Sequence, residues 1–118
     1  MPNDPHAAAV SVGDVDGTTV VSVSGAVDAL TAPTVRSHID TALDGGVRAL
    51  VIDLSDVDFL GSVGLEILVA TRAATADEIP IVVVADGPVT RRPIELTGVD
   101  EFVPLHTTLE AALEALRT

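Results

Sequence analysis

Residues 51–68, VIDLSDVDFLGSVGLEIL, decide the predicted fold, because they pass from a strand through a polar segment into a helix. The run from Leu50 to Ile52 is wholly apolar, which is typical of a strand covered on both faces. The polar residues that follow predict a loop: Asp53, Ser55, Asp56 and Asp58. Apolar residues at helical spacing resume at Leu65, and Ser62 occupies the position of a helix N-cap. The stretch therefore predicts a strand–loop–helix joint with a serine at its edge.

Upstream of this joint, the pattern predicts a β-hairpin and one helix. Residues 8–12 and 18–24 have the composition of strands, and Asp16-Gly17 between them is a hairpin turn signal. Residues 24–28 are predicted to leave the sheet. A helix with one apolar face is predicted over residues 31–43.

Downstream, the elements become shorter. The joint itself predicts a strand over 49–54 and a helix over 62–76, and a buried strand is predicted over 79–85. A helix from 86 to 98 follows, and its interior Pro93 should kink or shorten it. We expect a short last strand at residues 102–103, Phe102 and Val103.

The last helix has the clearest local signal, because Thr107-x-x-Glu110 is a capping box. The helix places one set of apolar residues on a single face: Leu109, Ala112, Leu113 and Leu116. The element order β-β-α-β-α-β-α-β-α predicts an α/β fold with a mixed β-sheet of about five strands covered by about four helices. We expect one domain over residues 8–117 behind a flexible N-terminal tail at residues 1–7.

The composition excludes several kinds of chemistry. The 118 residues include no Cys and no Lys, which removes disulfides, thiolate chemistry, Schiff bases and P-loop nucleotide binding. The net charge of −12 argues against nucleic acid or an anionic membrane as a partner, and it suits either a basic protein partner or a merely acidic protein. The sequence shows no membrane-spanning run and no signal peptide, so we expect a cytoplasmic location.

Three enzyme or metal sites fit the motifs poorly. Residues 60–64, LGSVG, miss the Gly-x-Ser-x-Gly pattern of a serine hydrolase by one place. Asp53 is a possible phosphoacceptor, but such sites use a lysine, and the chain has none. A strand-end carboxylate held by loop N–H groups is the better interpretation. Asp53, Asp56 and Asp58 lack the order of a calcium loop, so a solvated acidic loop is the better interpretation. We predict no catalytic residues, no metal ion and no cofactor.

Ser62 has two interpretations. It is either a plain N-cap serine or a phosphorylation site at a helix N-terminus, where free N–H groups and the helix dipole favour an anion. A phosphate there would add about −1.5 to −2 charges beside Asp56 and Asp58, which would repel a docked partner without unfolding the helix.

The sequence resembles the STAS-domain anti-sigma factor antagonists, also called anti-anti-sigma factors, over about residues 8–117. The matching motifs are Ser24-Gly25-x-x-Asp28 with Thr31-Ala32, Val51-Ile52-Asp53-Leu54, Phe59-Leu60-Gly61-Ser62-Val63-Gly64-Leu65, and Thr97-Gly98. The family pattern at the switch is Asp-Ser-Ser/Thr-Gly-Leu, and its first serine is phosphorylated. Ser62 and Gly64 match this pattern, whereas Gly61 replaces the aspartate and Val63 replaces the second hydroxyl residue.

The resemblance implies a non-catalytic partner-switching regulator of transcription, such as those of the stress response. The absence of Lys, together with so much Ala, Val and Arg, fits a chain from a GC-rich, actinobacterial genome. It would bind an anti-sigma factor that is an ATP-dependent serine kinase, and this binding would release a sigma factor. Phosphorylation of Ser62 would make it dissociate from the anti-sigma factor, and a phosphatase could reverse the modification. The expected partner-binding residues are Asp28, Asp56, Asp58, Gly61, Ser62, Val63, Gly64 and Glu66. The alternative is a STAS scaffold subunit of a stressosome-like complex or a lipid transporter, in which Ser62 only caps a helix.

Overall fold

The computed structural model describes residues 8–75 and 78–117, which form a mixed sheet of five strands and four α-helices. The strands are β1 (Ala9–Val15), β2 (Thr18–Val27), β3 (Leu50–Leu60), β4 (Ile81–Val84) and β5 (Leu105–His106). The helices are α1 (Ala32–Asp44), α2 (Ser62–Thr75), α3 (Arg91–Leu96) and α4 (Leu109–Leu116). The strands lie in chain order; β1 and β2 are antiparallel, and the other neighbours are parallel. The predicted fold class and element order are confirmed. The predicted tail at 1–7 and the predicted end of α2 at residue 76 lie outside the described residues.

The hairpin and α1 form where the sequence predicts them. Asp16 and Gly17 both have positive φ angles, 52° and 87°, as a two-residue hairpin turn requires. Thr31 is the N-cap of α1, and Pro33 lies in the first helical turn, where its missing N–H has no cost. Val35 and Ile39 of this helix are buried against the sheet.

The predicted acidic loop after β3 is wrong, because β3 continues to Leu60. Its second half pairs with the end of β2, which itself runs to Val27, so residues 24–28 do not leave the sheet as predicted. The pairing contains two register shifts, and bulges of this kind insert extra residues into one strand. The buried side chains of this half are therefore three residues apart, at Leu54, Val57 and Leu60. A search for two-residue alternation cannot detect such a strand.

The two faces of the sheet are covered unequally. One face packs against α1, α2 and α3 and forms the larger core, which includes Val21, Ile52 and Val83. Within residues 8–75 and 78–117, the other face is covered by α4 alone, over Val20 and Val51 and their neighbours in β4. The apolar face predicted for α4 makes this contact. The end of the sheet at which β2 and β3 finish therefore carries α2 on one side and has no covering helix among the described residues on the other.

The elements near the C-terminus differ in detail from the prediction. β4 is shorter than predicted, and α3 has only six residues with Pro93 in its first turn, so the predicted shortening is confirmed. The strand predicted at Phe102 and Val103 is wrong. These residues follow a 3-10 turn, Val99–Glu101, and Val103 is buried with its N–H bonded to the carbonyl of Val99.

The capping box predicted at Thr107 is wrong by one residue. The N-cap of α4 is Thr108, whose Oγ1 accepts a hydrogen bond of 3.0 Å from the N–H of Ala111. Thr107 and Thr108 could each serve as the N-cap. Thr108 is the cap in the structure, in which α4 places Ala112 against the second face of the sheet.

Candidate functional site

The candidate site lies where the parallel strands β2 and β3 end side by side. Val27 pairs with Leu60, and the carbonyl of Val27 accepts a hydrogen bond of 2.9 Å from the N–H of Gly61. The ladder therefore extends one residue beyond β3. Asp28 follows Val27 and Ser62 follows Gly61, so both residues leave the sheet at the same edge.

Asp28 organises the turn between β2 and α1. Its Oδ1 accepts hydrogen bonds from the N–H groups of Leu30, at 2.9 Å, and Thr31, at 3.0 Å. In return, the hydroxyl of Thr31 accepts a bond of 2.9 Å from the N–H of Asp28 and donates one of 2.7 Å to the carbonyl of Ala26. Asp28 thus has a structural role as a helix-entry carboxylate, and its half-buried side chain remains at the edge of the site.

Ser62 is not the N-cap that the sequence predicts. The carbonyl of Gly61 accepts the hydrogen bonds from Gly64 and Leu65 that open the helix, so Gly61 holds the cap position and Ser62 is the first helical residue. The side chain of Ser62 is exposed, and its hydroxyl makes no hydrogen bond to any residue the structure describes. The hydroxyl is therefore accessible at the positive end of α2.

Gly64 is required by packing and not by backbone conformation. A Cβ atom at this position would lie 2.4 Å from Cδ1 of Leu60 and 3.0 Å from Cγ1 of Val27. The first turn of α2 therefore approaches the strand ends more closely than any larger residue would allow. Val63, next to it, is half-buried against the larger core. Together they hold the start of α2 against the strand ends.

The acidic residues of the predicted interface lie around this edge. Asp56 is in the ladder opposite Ser24, Asp58 lies at the second register shift, and Glu66 is on α2 one turn after Ser62. All three are exposed, and in the described part of the chain none makes a hydrogen bond or ion pair through its carboxylate. These unpaired carboxylates make the last part of β3 and the first turns of α2 acidic.

The alternatives for Asp53 do not fit its position. Asp53 lies within β3, paired with Ser22 and Val84, and is not at the end of a strand. Its Oδ1 accepts hydrogen bonds from the N–H and the hydroxyl of Ser55, at 2.9 and 2.5 Å. Among the described residues, no group of three His, Asp or Glu side chains is placed to hold a metal ion. In the same part of the chain, no helix has the length and apolar character needed to cross a bilayer.

Two apolar residues at this edge were not singled out as contacts by the sequence. Leu30 lies in the Asp28 turn with its side chain 89% exposed, and Phe59 is 53% exposed next to Asp58. The ring of Phe59 lies against Gly61, because a Cβ there would be 3.3 Å from Cε2 and 3.7 Å from Cζ. The three-residue spacing of Val57 and Leu60 would have placed Phe59 outside the core, but only if the bulges had been recognised.

Comparison with known proteins identifies the family. The family model described as the STAS domain matches residues 9–112. An anti-sigma-F factor antagonist of Mycobacterium tuberculosis, RsfB, is 44% identical over 113 residues, covering 96% of this chain and 93% of the relative. A crystal structure of an anti-sigma factor antagonist from Mycobacterium paratuberculosis is 50% identical, with a TM-score of 0.94 over 99% of this chain and 100% of that chain.

A more distant structure shares the fold alone. The unphosphorylated form of the anti-sigma factor antagonist SpoIIAA has a TM-score of 0.74 at 18% identity, covering 92% of this chain and 96% of that chain. The β2–β3 edge and the start of α2 thus lie in a fold that persists at low identity. Because the family model and the 44% identical relative each cover most of the chain, it belongs to the STAS-domain family of anti-sigma factor antagonists.

Proposed function

We propose that this protein is a partner switch that binds an anti-sigma factor while Ser62 is unmodified and releases it when Ser62 is phosphorylated. The anti-sigma factor is itself the ATP-dependent serine kinase, and its capture frees a sigma factor in the cytoplasm. A phosphatase resets the switch. The protein acts by binding and needs no catalytic group of its own. The name of the 44% identical relative, anti-sigma-F factor antagonist, supports the general role.

The observation that carries the proposal is the setting of Ser62. Its exposed hydroxyl, without a partner in the described structure, begins α2 at an edge held by the Val27–Gly61 hydrogen bond. A kinase can therefore reach the hydroxyl without unfolding any element. The first N–H groups of a helix lack intrahelical partners, and together with the helix dipole they stabilise an added phosphate.

The charges around Ser62 explain how phosphorylation would release the partner. The chain has a net charge of −12; Asp28 directly follows β2, Asp56 and Asp58 lie on the last part of β3, and Glu66 is one turn after Ser62 on α2. A partner that docks here must present basic groups. A phosphate adds about −1.5 to −2 charges and a large hydration shell at the centre of the contact. Binding is lost through desolvation and poor fit, while the fold of the antagonist stays the same.

Gly61, Val63 and Gly64 shape this surface and do not supply charge. Gly64 is buried against Leu60 and Val27, and Gly61 is half-buried beneath the ring of Phe59, so both glycines hold the start of α2 close to the strand ends and leave the Ser62 hydroxyl accessible. A kinase active site needs such access in order to place the serine hydroxyl against the terminal phosphate of ATP. We assign these three residues to the same contact surface.

The phosphorylation step is tested by intact-mass spectrometry after incubation with ATP–Mg²⁺ and an anti-sigma factor. The first probe is the anti-sigma-F factor of Mycobacterium tuberculosis, and the others are the anti-sigma kinases of the chain's own genome. Wild type should gain one phosphate and Ser62→Ala none. Ser55→Ala is the matched control, because Ser55 is an exposed serine on β3, and this variant should still be modified.

The binding step is tested by titration of the same anti-sigma factors. Ser62→Ala should bind like wild type, and Ser62→Glu should bind about tenfold or more weakly, because it adds a like charge to the contact. Asp28→Asn keeps an oxygen acceptor for the turn and removes the charge, so its binding separates recognition from folding. Equal affinity of Ser62→Glu and wild type would refute the charge switch. A protein that binds but is never phosphorylated would instead be a constitutive antagonist or a scaffold subunit.

A further inference from the structure

Two large apolar side chains are exposed at the edge that carries Ser62. Leu30 is 89% exposed and Phe59 is 53% exposed, in a chain whose only aromatic residues are Phe59 and Phe102. An exposed leucine or phenylalanine adds little to folding stability, because its surface stays in water. One such residue on a surface needs no explanation, but two beside a candidate interaction site point to a partner.

Leu30 is presented in a defined position. Its N–H donates to Oδ1 of Asp28, and the turn is closed by the reciprocal bonds between Asp28 and Thr31. The backbone that carries the side chain is therefore fixed before any partner arrives. Fixing the backbone in advance lowers the entropy lost on binding.

Phe59 is held in a similar way. Its ring lies against the backbone of Gly61, immediately before Ser62, in the space that a side chain at position 61 would occupy. About half of Phe59 remains exposed, and this end of the sheet lies outside the cluster that α4 covers. Gly61 thus leaves room for the Phe59 ring next to Ser62.

We propose that Leu30 and Phe59 are the two apolar anchors of the surface that binds the anti-sigma factor, and that the partner supplies apolar pockets within a basic rim. This inference rests on the proposed function. Protein interfaces commonly place a few apolar or aromatic anchors at the centre and charged groups at the rim. Asp28, Asp56 and Asp58 supply that rim here, and the net charge of −12 requires its complement to be basic. Phosphorylation of Ser62 then places a hydrated dianion beside the anchors, where the partner must exclude water.

The test is surface plasmon resonance with the anti-sigma-F factor of Mycobacterium tuberculosis and the anti-sigma kinases of the chain's own genome as probes. Phe59→Ala should weaken binding about 30-fold and Leu30→Ala about tenfold, mainly through faster dissociation. Phe102→Ala and Val12→Ala are the matched controls. Both residues are exposed, at 57% and 48%, and both lie away from the ends of β2 and β3, so affinity should be unchanged.

The rates separate anchors from charges. Asp58→Asn should slow association and reduce its salt dependence, whereas the two anchor variants should leave association nearly unchanged. A Tm equal to that of wild type excludes a folding defect in each variant. If Phe59→Ala and Leu30→Ala bind like the controls while Ser62→Glu binds weakly, the anchors are refuted and the switch stands. If the anchor variants bind weakly but Ser62→Glu binds like wild type, the proposal for the anchors is supported and the phosphorylation switch is refuted. No binding by wild type to any probe overturns both.

Discussion

Replacement of Gly64 by alanine should destabilise the protein, although alanine is the better helix former. Gly64 lies in the first turn of α2, and an added Cβ would be 2.4 Å from Cδ1 of Leu60 and 3.0 Å from Cγ1 of Val27. Both neighbours are buried, Val27 at 2% and Leu60 at 8% exposure, so neither can move into solvent without disturbing the core. Either the leucine changes rotamer or the helix moves away from the sheet.

The two opposing terms have comparable sizes. Overpacking of a core position costs about 1–3 kcal/mol. Replacement of glycine by alanine within a helix gains up to about 1 kcal/mol. Because a contact of 2.4 Å forces its neighbour to move, the overpacking cost should lie in the upper part of that range, at about 2–3 kcal/mol, and the free energy of unfolding should fall by about 1–2 kcal/mol. At about 2.1 cal/mol/K per residue, unfolding of 118 residues has an entropy near 0.25 kcal/mol/K, so Tm should fall by about 4–8 °C.

Calorimetry or thermal circular dichroism measures this shift, and a double-mutant cycle assigns its cause. Leu60→Val removes the atom that the new Cβ would meet, at a cost of about 1 kcal/mol by itself. The double variant Gly64→Ala/Leu60→Val should then be more stable than the sum of the single effects by about 1 kcal/mol. A Tm for Gly64→Ala equal to or above that of wild type would show that the helix–sheet approach is not a constraint.

Further variants test individual caps and contacts by the same thermal measurement. Thr108→Ala should lower Tm by about 4 °C, because it removes an N-cap worth about 1 kcal/mol, while Thr107→Ala should leave Tm unchanged; the opposite order would restore the predicted capping box. Asp28→Ala should lower the free energy of unfolding by about 1–2 kcal/mol through the loss of two hydrogen bonds, and a Tm equal to that of wild type would contradict this role. Arg117→Gln should change stability by less than about 0.5 kcal/mol, because its ion pairs with Asp16 and Glu114 are exposed; a larger loss would mean that these pairs are coupled.

The sequence predicts the fold well where local chemistry and packing agree. The Asp16-Gly17 turn, the entry of α1 at Thr31 and the apolar face of α4 each have a local cause that the residues themselves reveal. The order of elements follows from these. Each of these signals operates over fewer than about ten residues, which is the range over which periodicity and turn chemistry are reliable.

The prediction fails where a distant partner decides the conformation. Asp56 and Asp58 have loop propensity, yet they lie in β3 because β2 pairs with Asp56 and with the residues on either side of Asp58. Ser62 stands one place inside α2 because the carbonyl of Gly61 is positioned by the bond between Gly61 and Val27. These effects link residues about 30 positions apart in the chain, and no local pattern records them. Asp28 and the segment from Gly61 to Gly64 nevertheless meet at one edge, because the neighbouring parallel strands β2 and β3 end side by side.

The chain-order arrangement of the strands has a consequence for how the protein is made. Each strand joins the one synthesised just before it, so the sheet can grow in step with the emerging chain. The edge with Asp28 and Ser62 is complete once α2 has emerged, well before synthesis ends. The final step is different, because α4 returns to cover Val20 and Val51 near the start of the sheet. Until that helix leaves the ribosome, the nascent chain exposes an apolar strip across three strands, and any premature stop before residue 109 would leave this strip open to aggregation.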